Sequence, residues 1–427
     1  MESIKNKDIL LTLALGLFYC ILYDYTYANF IAIDFAYDGH RYINSSVFNY
    51  LTYFLFATLP LVFYKGLICV SAAYSIFAYL FMYVPTLHTM FFQYEISSLI
   101  LSYIVVFVIS MIAFFKTDKI YYNNKGKANW SFKWFEVISY LIILIVMLLN
   151  ISNVHWVNFL TDSSSLYEYR EDLEFGGGTI GTYLFCWARN VLVPILLVFY
   201  ITKKQYIRSV IVFGVYILFY MIDMQKNTII LPFVTVLLYK LLQVNPKRVF
   251  KYFHTLIFIC MGLVSGLCLC IKDINEIGFG IASIYFYRVQ CIAGIQIRRY
   301  IDFFDFDNHQ YTYYSHISII NELLNNYPYR ESLGYTVSYG DGNSNASVWA
   351  MAGIAAAGPL GCVLVSIAFI VVKKYISKYC DNENLMYYLI IILPSVSYFT
   401  NVSLFTSLFT GGILLIIVLF KYLNFKY

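Results

Sequence analysis

Charge is what this sequence has least of. Only 12% of its 427 residues are Asp, Glu, Lys or Arg, against 60% hydrophobic residues and a mean hydropathy of +0.68. A water-soluble globule of that length needs far more polar surface, so soluble enzymes and nucleic-acid binders are excluded at the outset. Proline is scarce as well, 8 residues in all, and few apolar runs are interrupted. Runs of about 20 apolar residues are too long for barrel strands and fit membrane helices, which satisfy their own backbone groups in lipid. There is no internal repeat, and no small-residue cleavage site after the first run, where Asp24, Tyr25 and Tyr27 follow; that run is expected to stay as an anchor. The nine cysteines (Cys20, Cys69, Cys186, Cys260, Cys268, Cys270, Cys291, Cys362 and Cys380) match no zinc or redox spacing, lie mostly inside apolar runs and read as small packers.

What is present is an all-α polytopic membrane protein. Spans are expected near 8–28, 48–64, 67–86, 96–115, 135–151, 179–201, 209–222, 228–243, 252–271, 348–372, 385–402 and 404–422, about twelve in total. With the amino terminus inside, 20 of 29 basic residues fall in inner segments, which the positive-inside rule requires and which puts both termini in the cytoplasm. The two basic residues part company, however. Inner segments hold 18 of 20 lysines, whereas 7 of 9 arginines (Arg41, Arg170, Arg189, Arg288, Arg298, Arg299 and Arg330) are outer. Arginine is suited to bidentate, desolvated recognition of phosphate or carboxylate, so the outer face is expected to hold anions. The plainer reading is pairing with neighbouring acids, since 18 of 24 Asp and Glu are outer too.

The chain divides into a first bundle of about nine spans (1–271) with an outer loop at 152–178, a large outer loop at 272–347, and about three last spans (348–427). Outer loops of this length point to function. The second contains a stretch from Ile281 to Arg299 with an apolar body, expected as an interfacial or re-entrant helix. Arg288 lies in it beside Tyr285 and Tyr287 with no acid within four residues, and is the first candidate for holding an anion. Arg189, inside the sixth span, is a second such case, with Asp223 or Glu174 as the alternative structural partner.

Arg288 in its aromatic segment is followed by a Tyr- and Phe-rich stretch leading to His316, Ile317 and Ser318, by Gly334, and by Asn345, Ala346 and Ser347. A span then begins Val348-Trp-Ala-Met-Ala-Gly-Ile-Ala-Ala-Ala-Gly358-Pro-Leu-Gly361. Over residues 280 to 375 this order resembles the carboxy-terminal half of bacterial O-antigen polymerases of the Wzy type. The resemblance implies a multi-span glycosyltransferase of the bacterial inner membrane with its main loop in the periplasm. It implies transfer of a growing glycan from undecaprenyl diphosphate to a fresh lipid-linked repeat unit, so that one class of lipid-linked oligosaccharide serves as donor and acceptor. A chain-length regulator protein is a possible partner, and no metal, other cofactor or nucleic acid is implied.

Such a reaction needs fixed positive charge where the diphosphate leaves and a group to take the acceptor's proton. For the first, Arg288, Arg170, Arg298 and Arg299 are candidates, with Arg189 and Arg330 as further substrate contacts. For the second, His316, Asp341, Asp34 and Asp38 are candidates. Tyr311, Tyr313, Tyr314, Tyr335 and Tyr339 offer faces to sugar rings, and Asn345 an amide. Two other motifs carry less. Asp305-Phe-Asp307 has a metal-chelating form but sits on the side without nucleotide sugars, and Gly176-Gly-Gly178 lacks the lysine of a phosphate loop. An O-antigen ligase and a lipid-glycan flippase are the rival readings. The ligases carry a His-Asn pair just before the span that here starts near Val348, where this chain has Asn343-Ser-Asn345. Transporters show repeated halves and deep ionisable residues, which this sequence does not.

Overall fold

A computed structural model of the chain describes residues 6–43, 45–120, 130–155, 173–244, 246–340, 344, 347–380 and 384–423. The protein is all-α: among the described residues there is no strand, only one isolated bridge between Trp130 and Leu423. Nine described helices are long and apolar enough to cross a membrane: Asp8–Asp34, Val70–Phe92, Ser98–Lys116, Phe132–Leu149, Gly178–Thr202, Tyr206–Asp223, Val249–Ile271, Ser347–Lys378 and Leu404–Tyr422. The expected spans at 48–64, 228–243 and 385–402 are not among them. Val47–Phe63 is a shorter apolar helix, Lys226–Val244 carries Pro232 in its interior, and the third breaks into Leu385–Ile391 and Leu393–Asn401.

The chain forms two compact units that interleave in sequence. The first takes Met1–Ile120, Lys247–Lys374 and Phe399–Phe405; the second takes Tyr121–Pro246, Tyr375–Tyr398 and Thr406–Tyr427. At the centre of the first unit is Val70–Phe92, whose most apolar stretch is 89% buried. Its tyrosines show how an apolar core tolerates so many phenols. Tyr79 donates to the Ala57 carbonyl at 2.9 Å and Tyr83 to the Phe56 carbonyl at 2.6 Å, while Tyr19 donates to Leu80 at 3.1 Å. Each of these three hydroxyls thus finds an acceptor and its ring supplies apolar area.

Two segments of the first unit turn back on themselves. Residues 276–306 are helical throughout, with wide π-type turns at Ser283–Cys291 and Asp302–Phe306. Asn275 caps the start by accepting from the Gly278 amide at 2.7 Å. The descending limb packs Phe279 on Phe35 and Phe286 on Tyr23, and the returning limb brings Arg298 back to Gly39. Asp38 accordingly accepts from both Tyr287 and Arg299, twelve positions apart, a separation of about 18 Å along a straight helix. The returning limb crosses Val70–Phe92 at Gly294, where a Cβ would stand 2.5 Å from Thr89 Oγ1 and 2.6 Å from the Pro85 carbonyl oxygen. Only glycine fits that crossing.

The second reversal lies inside Ser347–Lys378, which the sequence reads as one span from 348 to 372. Gly358, at φ +58° beside Pro359, breaks the helix. The short limb folds against the long one: Trp349 Nε1 donates to Ser366 Oγ at 2.9 Å, and a Cβ on Gly361 would come within 2.1 Å of the Gly353 carbonyl oxygen. In an unbroken helix positions 349 and 366 would be about 26 Å apart.

Candidate functional site

The turn that ends the first span builds one wall of a cavity in the first unit. Ala36–Asp38 closes a single 3₁₀ turn, Gly39 follows at φ +79°, and the turn presents Asp38 and His40 on one side. Phe35 anchors it by stacking on Tyr287 at 4.4 Å between ring centroids. The opposite wall is the returning limb, with Ile295, Arg298, Arg299 and Asp302, and Val337 to Tyr339 cover one side. The cavity, open on one side, has a volume of about 340 Å³, the size of a small-ligand site.

The polar groups on these walls are mostly donors. Arg299 donates from Nη2 to Asp38 Oδ1 and from Nη1 to Ser344 Oγ at 3.1 Å. Arg298 donates from Nη1 to Gln93 Oε1 at 3.5 Å, and its Nε lies 3.3 Å from Asp302 Oδ2. Tyr94 holds the other Asp302 oxygen at 2.7 Å. Each guanidinium has five N–H groups in a planar fork, so these contacts leave several directed at the cavity. Arg298 and Arg299 are partly shielded, with side chains 17% and 31% exposed, which favours charge-assisted bonding over loose solvation.

His40 is 4% exposed, and Nδ1 lies 2.7 Å from the Tyr27 hydroxyl, which itself accepts from Gln93 Nε2 at 2.6 Å. Its Nε2 has no hydrogen-bond partner among the described residues and stands 4.0 Å from Asp38 Oδ2. Burial, with Arg298 and Arg299 adding to it against the opposing pull of Asp38, pushes the imidazole down to about 4, so it is neutral near pH 7.

The sequence candidates scatter. Arg298 and Arg299 line the cavity together with Asp38, but Arg288 does not: it is exposed on the other side of the descending limb, its guanidinium 5.5 Å from the Tyr287 ring centroid. Asp34 is taken by Lys272 at 3.0 Å. Arg41 caps the third apolar helix by donating to the Gln93 carbonyl at 2.8 Å. His316 lies elsewhere in the first unit, Nδ1 2.8 Å from Thr312 Oγ1, and burial pushes it down to about 4. Tyr314, at φ +68°, packs on Phe405, Tyr335 is half-buried in the helix Leu333–Val337, and Arg330 is exposed. Tyr339 lies at the cavity and donates to Asp307 at 2.6 Å. Arg189 belongs to the second unit and is paired with Asp223. Arg170, Asp341 and Asn345 lie outside the described residues.

Sequence reasoning missed Tyr27, His40 and Gln93. A signal was there in part: a histidine and a glutamine at the ends of apolar runs, in a chain with 6 histidines, are polar groups that need a partner. Among the described residues no three His, Cys, Asp or Glu side chains gather as ligands for a metal ion. Searches of family models, of curated proteins and of solved structures return no match to this chain.

Proposed function

We propose that this protein is a glycosyltransferase with lipid-linked donors, a polymerase of O-antigen or a related surface polysaccharide. In this reading it is set in a bacterial inner membrane with about twelve crossings and cytoplasmic termini. The limb 276–306 dips in from the periplasmic face, and the donor is a growing glycan on undecaprenyl diphosphate. The observation that carries the reading is the pair Arg298 and Arg299 on one wall of a cavity with Asp38 opposite. Breaking the bond from the anomeric carbon to the lipid diphosphate leaves negative charge on phosphate oxygens. Two planar guanidinium groups already held by Asp302 and Asp38 meet that charge with little reorganisation. The diphosphate site therefore moves from Arg288, the first candidate on sequence, to Arg298 and Arg299.

The test is the lipopolysaccharide ladder of a strain deleted for this gene. Loss of the ladder, with a single repeat unit still attached to the lipid core, is the expected result. Loss of all glycan from the core while long chains accumulate on the carrier lipid would identify a ligase instead. An unchanged ladder would remove the assignment.

A further inference from the structure

Resting on the polymerase reading, the geometry points to Asp38 as the base that takes the proton of the acceptor hydroxyl, with His40 as a fixed hydrogen-bond donor to that same oxygen. The argument begins with Tyr27. Its hydroxyl has one proton to give, and it accepts from Gln93 Nε2, which is a donor only. The one acceptor described for that proton is His40 Nδ1 at 2.7 Å. A neutral imidazole whose Nδ1 accepts must carry its proton on Nε2. Gln93 and Tyr27 therefore fix the tautomer, with the proton on Nε2, a buried nitrogen that has no other partner among the described residues and stands beside Asp38. A nitrogen that already bears a proton cannot remove another.

The neighbouring acceptor is Asp38 Oδ2, 4.0 Å from His40 Nε2. That gap is too wide for a direct hydrogen bond and right for one oxygen set between them, at about 2.9 Å from the nitrogen and about 2.7 Å from the carboxylate. A group that accepts on one side and donates on the other is a hydroxyl, or the water it displaces; a phosphate oxygen, which carries no proton near neutral pH, would be repelled by Asp38. The acceptor's sugar hydroxyl fits this position, and the donor's diphosphate fits the guanidinium groups of Arg298 and Arg299 beyond it. In the transfer, the hydroxyl oxygen forms its bond to the donor's anomeric carbon and its proton passes to Asp38. The anomeric carbon–oxygen bond breaks with its electron pair leaving on the diphosphate. Tyr287 on Oδ2 and Arg299 on Oδ1 orient the carboxylate. The groups facing His40 are thus Tyr27, Asp38, Tyr287, Arg298 and Arg299, and burial keeps it neutral among them, down to about 4.

The experiment uses the full-length chain, both in the deletion strain and purified into nanodiscs. Asp38→Asn is expected to cut polymer by about a hundredfold or more, at normal protein abundance and with undecaprenyl diphosphate binding within threefold of wild type. His40→Gln, which keeps an N–H donor, is expected to retain polymer within about tenfold, whereas a histidine base would make it as inactive as Asp38→Asn. Nitrogen NMR of ring-labelled histidine should show His40 protonated at Nε2 alone, and Tyr27→Phe should mix the two tautomers and lower the rate without changing undecaprenyl diphosphate binding. If Asp38→Asn does not accumulate, Asp38→Glu is read instead: it keeps the charge beside Arg299 but displaces the oxygens, and loss of polymer is expected. A full ladder with either Asp38 variant, or a His40 carrying its proton on Nδ1, overturns the inference. Failure of the polymerase reading would show separately, as an unchanged ladder in the deletion strain itself.

Discussion

Two arginine–aspartate pairs in this molecule have the same chemistry and different surroundings. In the second unit, Arg189 and Asp223 are 4% and 1% exposed. Arg189 also donates to Asn190, to Gln225 at 2.9 Å and to Tyr398, while Asp223 accepts from Thr228 and from the Gln225 amide at 2.9 Å. In the first unit, Arg299 and Asp38 are 31% and 22% exposed and border a cavity. In the first cluster four of the five guanidinium N–H groups have acceptors among the described residues and the pair is closed to solvent; in the second, more donors remain beside an open cavity. An arginine in such a chain is therefore neither structural nor functional by type, and what decides is how many donors remain after its own partners are served and whether they border open space.

The comparison breaks most readily at the sealed pair. Arg189→Ala leaves Asp223 charged and buried, a loss of about 3–5 kcal/mol, and the protein should fail to accumulate in membranes. Arg189→Met with Asp223→Leu removes both charges and should recover much of the abundance. At the open pair the expected damage falls on turnover. Arg299→Lys keeps the charge but loses the fork, and polymer should drop by about a hundredfold, about 3 kcal/mol in the barrier, with protein level unchanged. A lysine variant with a full ladder would return Arg299 to the structural class.

Acid should also reach the open region. His40 is held neutral, down to about 4, whereas an unfolded histidine titrates near 6.5. Between those values the unfolded chain binds the extra proton and the folded one does not, so stability falls as pH falls from about 6.5 to about 4, by at most about 3 kcal/mol, and is flat above about 7. Unfolding midpoints of wild type and His40→Gln, followed across that window, should converge on acidification. The smallest effect is expected at Arg288→Lys. An exposed arginine over a tyrosine tolerates lysine at little cost, so polymer and abundance should stay within about twofold. A collapse of polymer there would reinstate Arg288 as the anion site.

Helix content was legible in the sequence because scarcity of charge and runs of about 20 apolar residues leave lipid-embedded helices as the one economical arrangement. Arg298, Arg299 and Asp38 were legible as chemistry, since arginine in a long loop and a carboxylate after an apolar run are visible by type. Their assembly was not. Asp38 meets Arg299 across 261 positions and Tyr27 meets Gln93 across 66, and nothing in local spacing announces either contact. Arg288 stood out in sequence because it has no nearby acid, whereas the fold leaves it exposed and away from the cavity, where a helical position satisfies its charge by facing outward. The reversal at Gly358 did leave a trace, a Gly-Pro step in the middle of an apolar run, where a straight span has no use for one.

The bent limb has a consequence for how the chain is built. Residues 276–306 carry Gln290, Gln296, Arg298 and Arg299, and a segment so polar has little tendency to enter lipid when it leaves the translocation machinery. Its partners are made long before it: Tyr23 on the first span, Thr89 in Val70–Phe92 and Gln93 just after it. Its place is set by those earlier segments, and the fit at Gly294 leaves room for no side chain between the limb and Pro85 and Thr89. The cavity is therefore expected to be completed late, after the early spans and the limb have met, and variants that loosen the early spans should leave the limb more open to proteolysis.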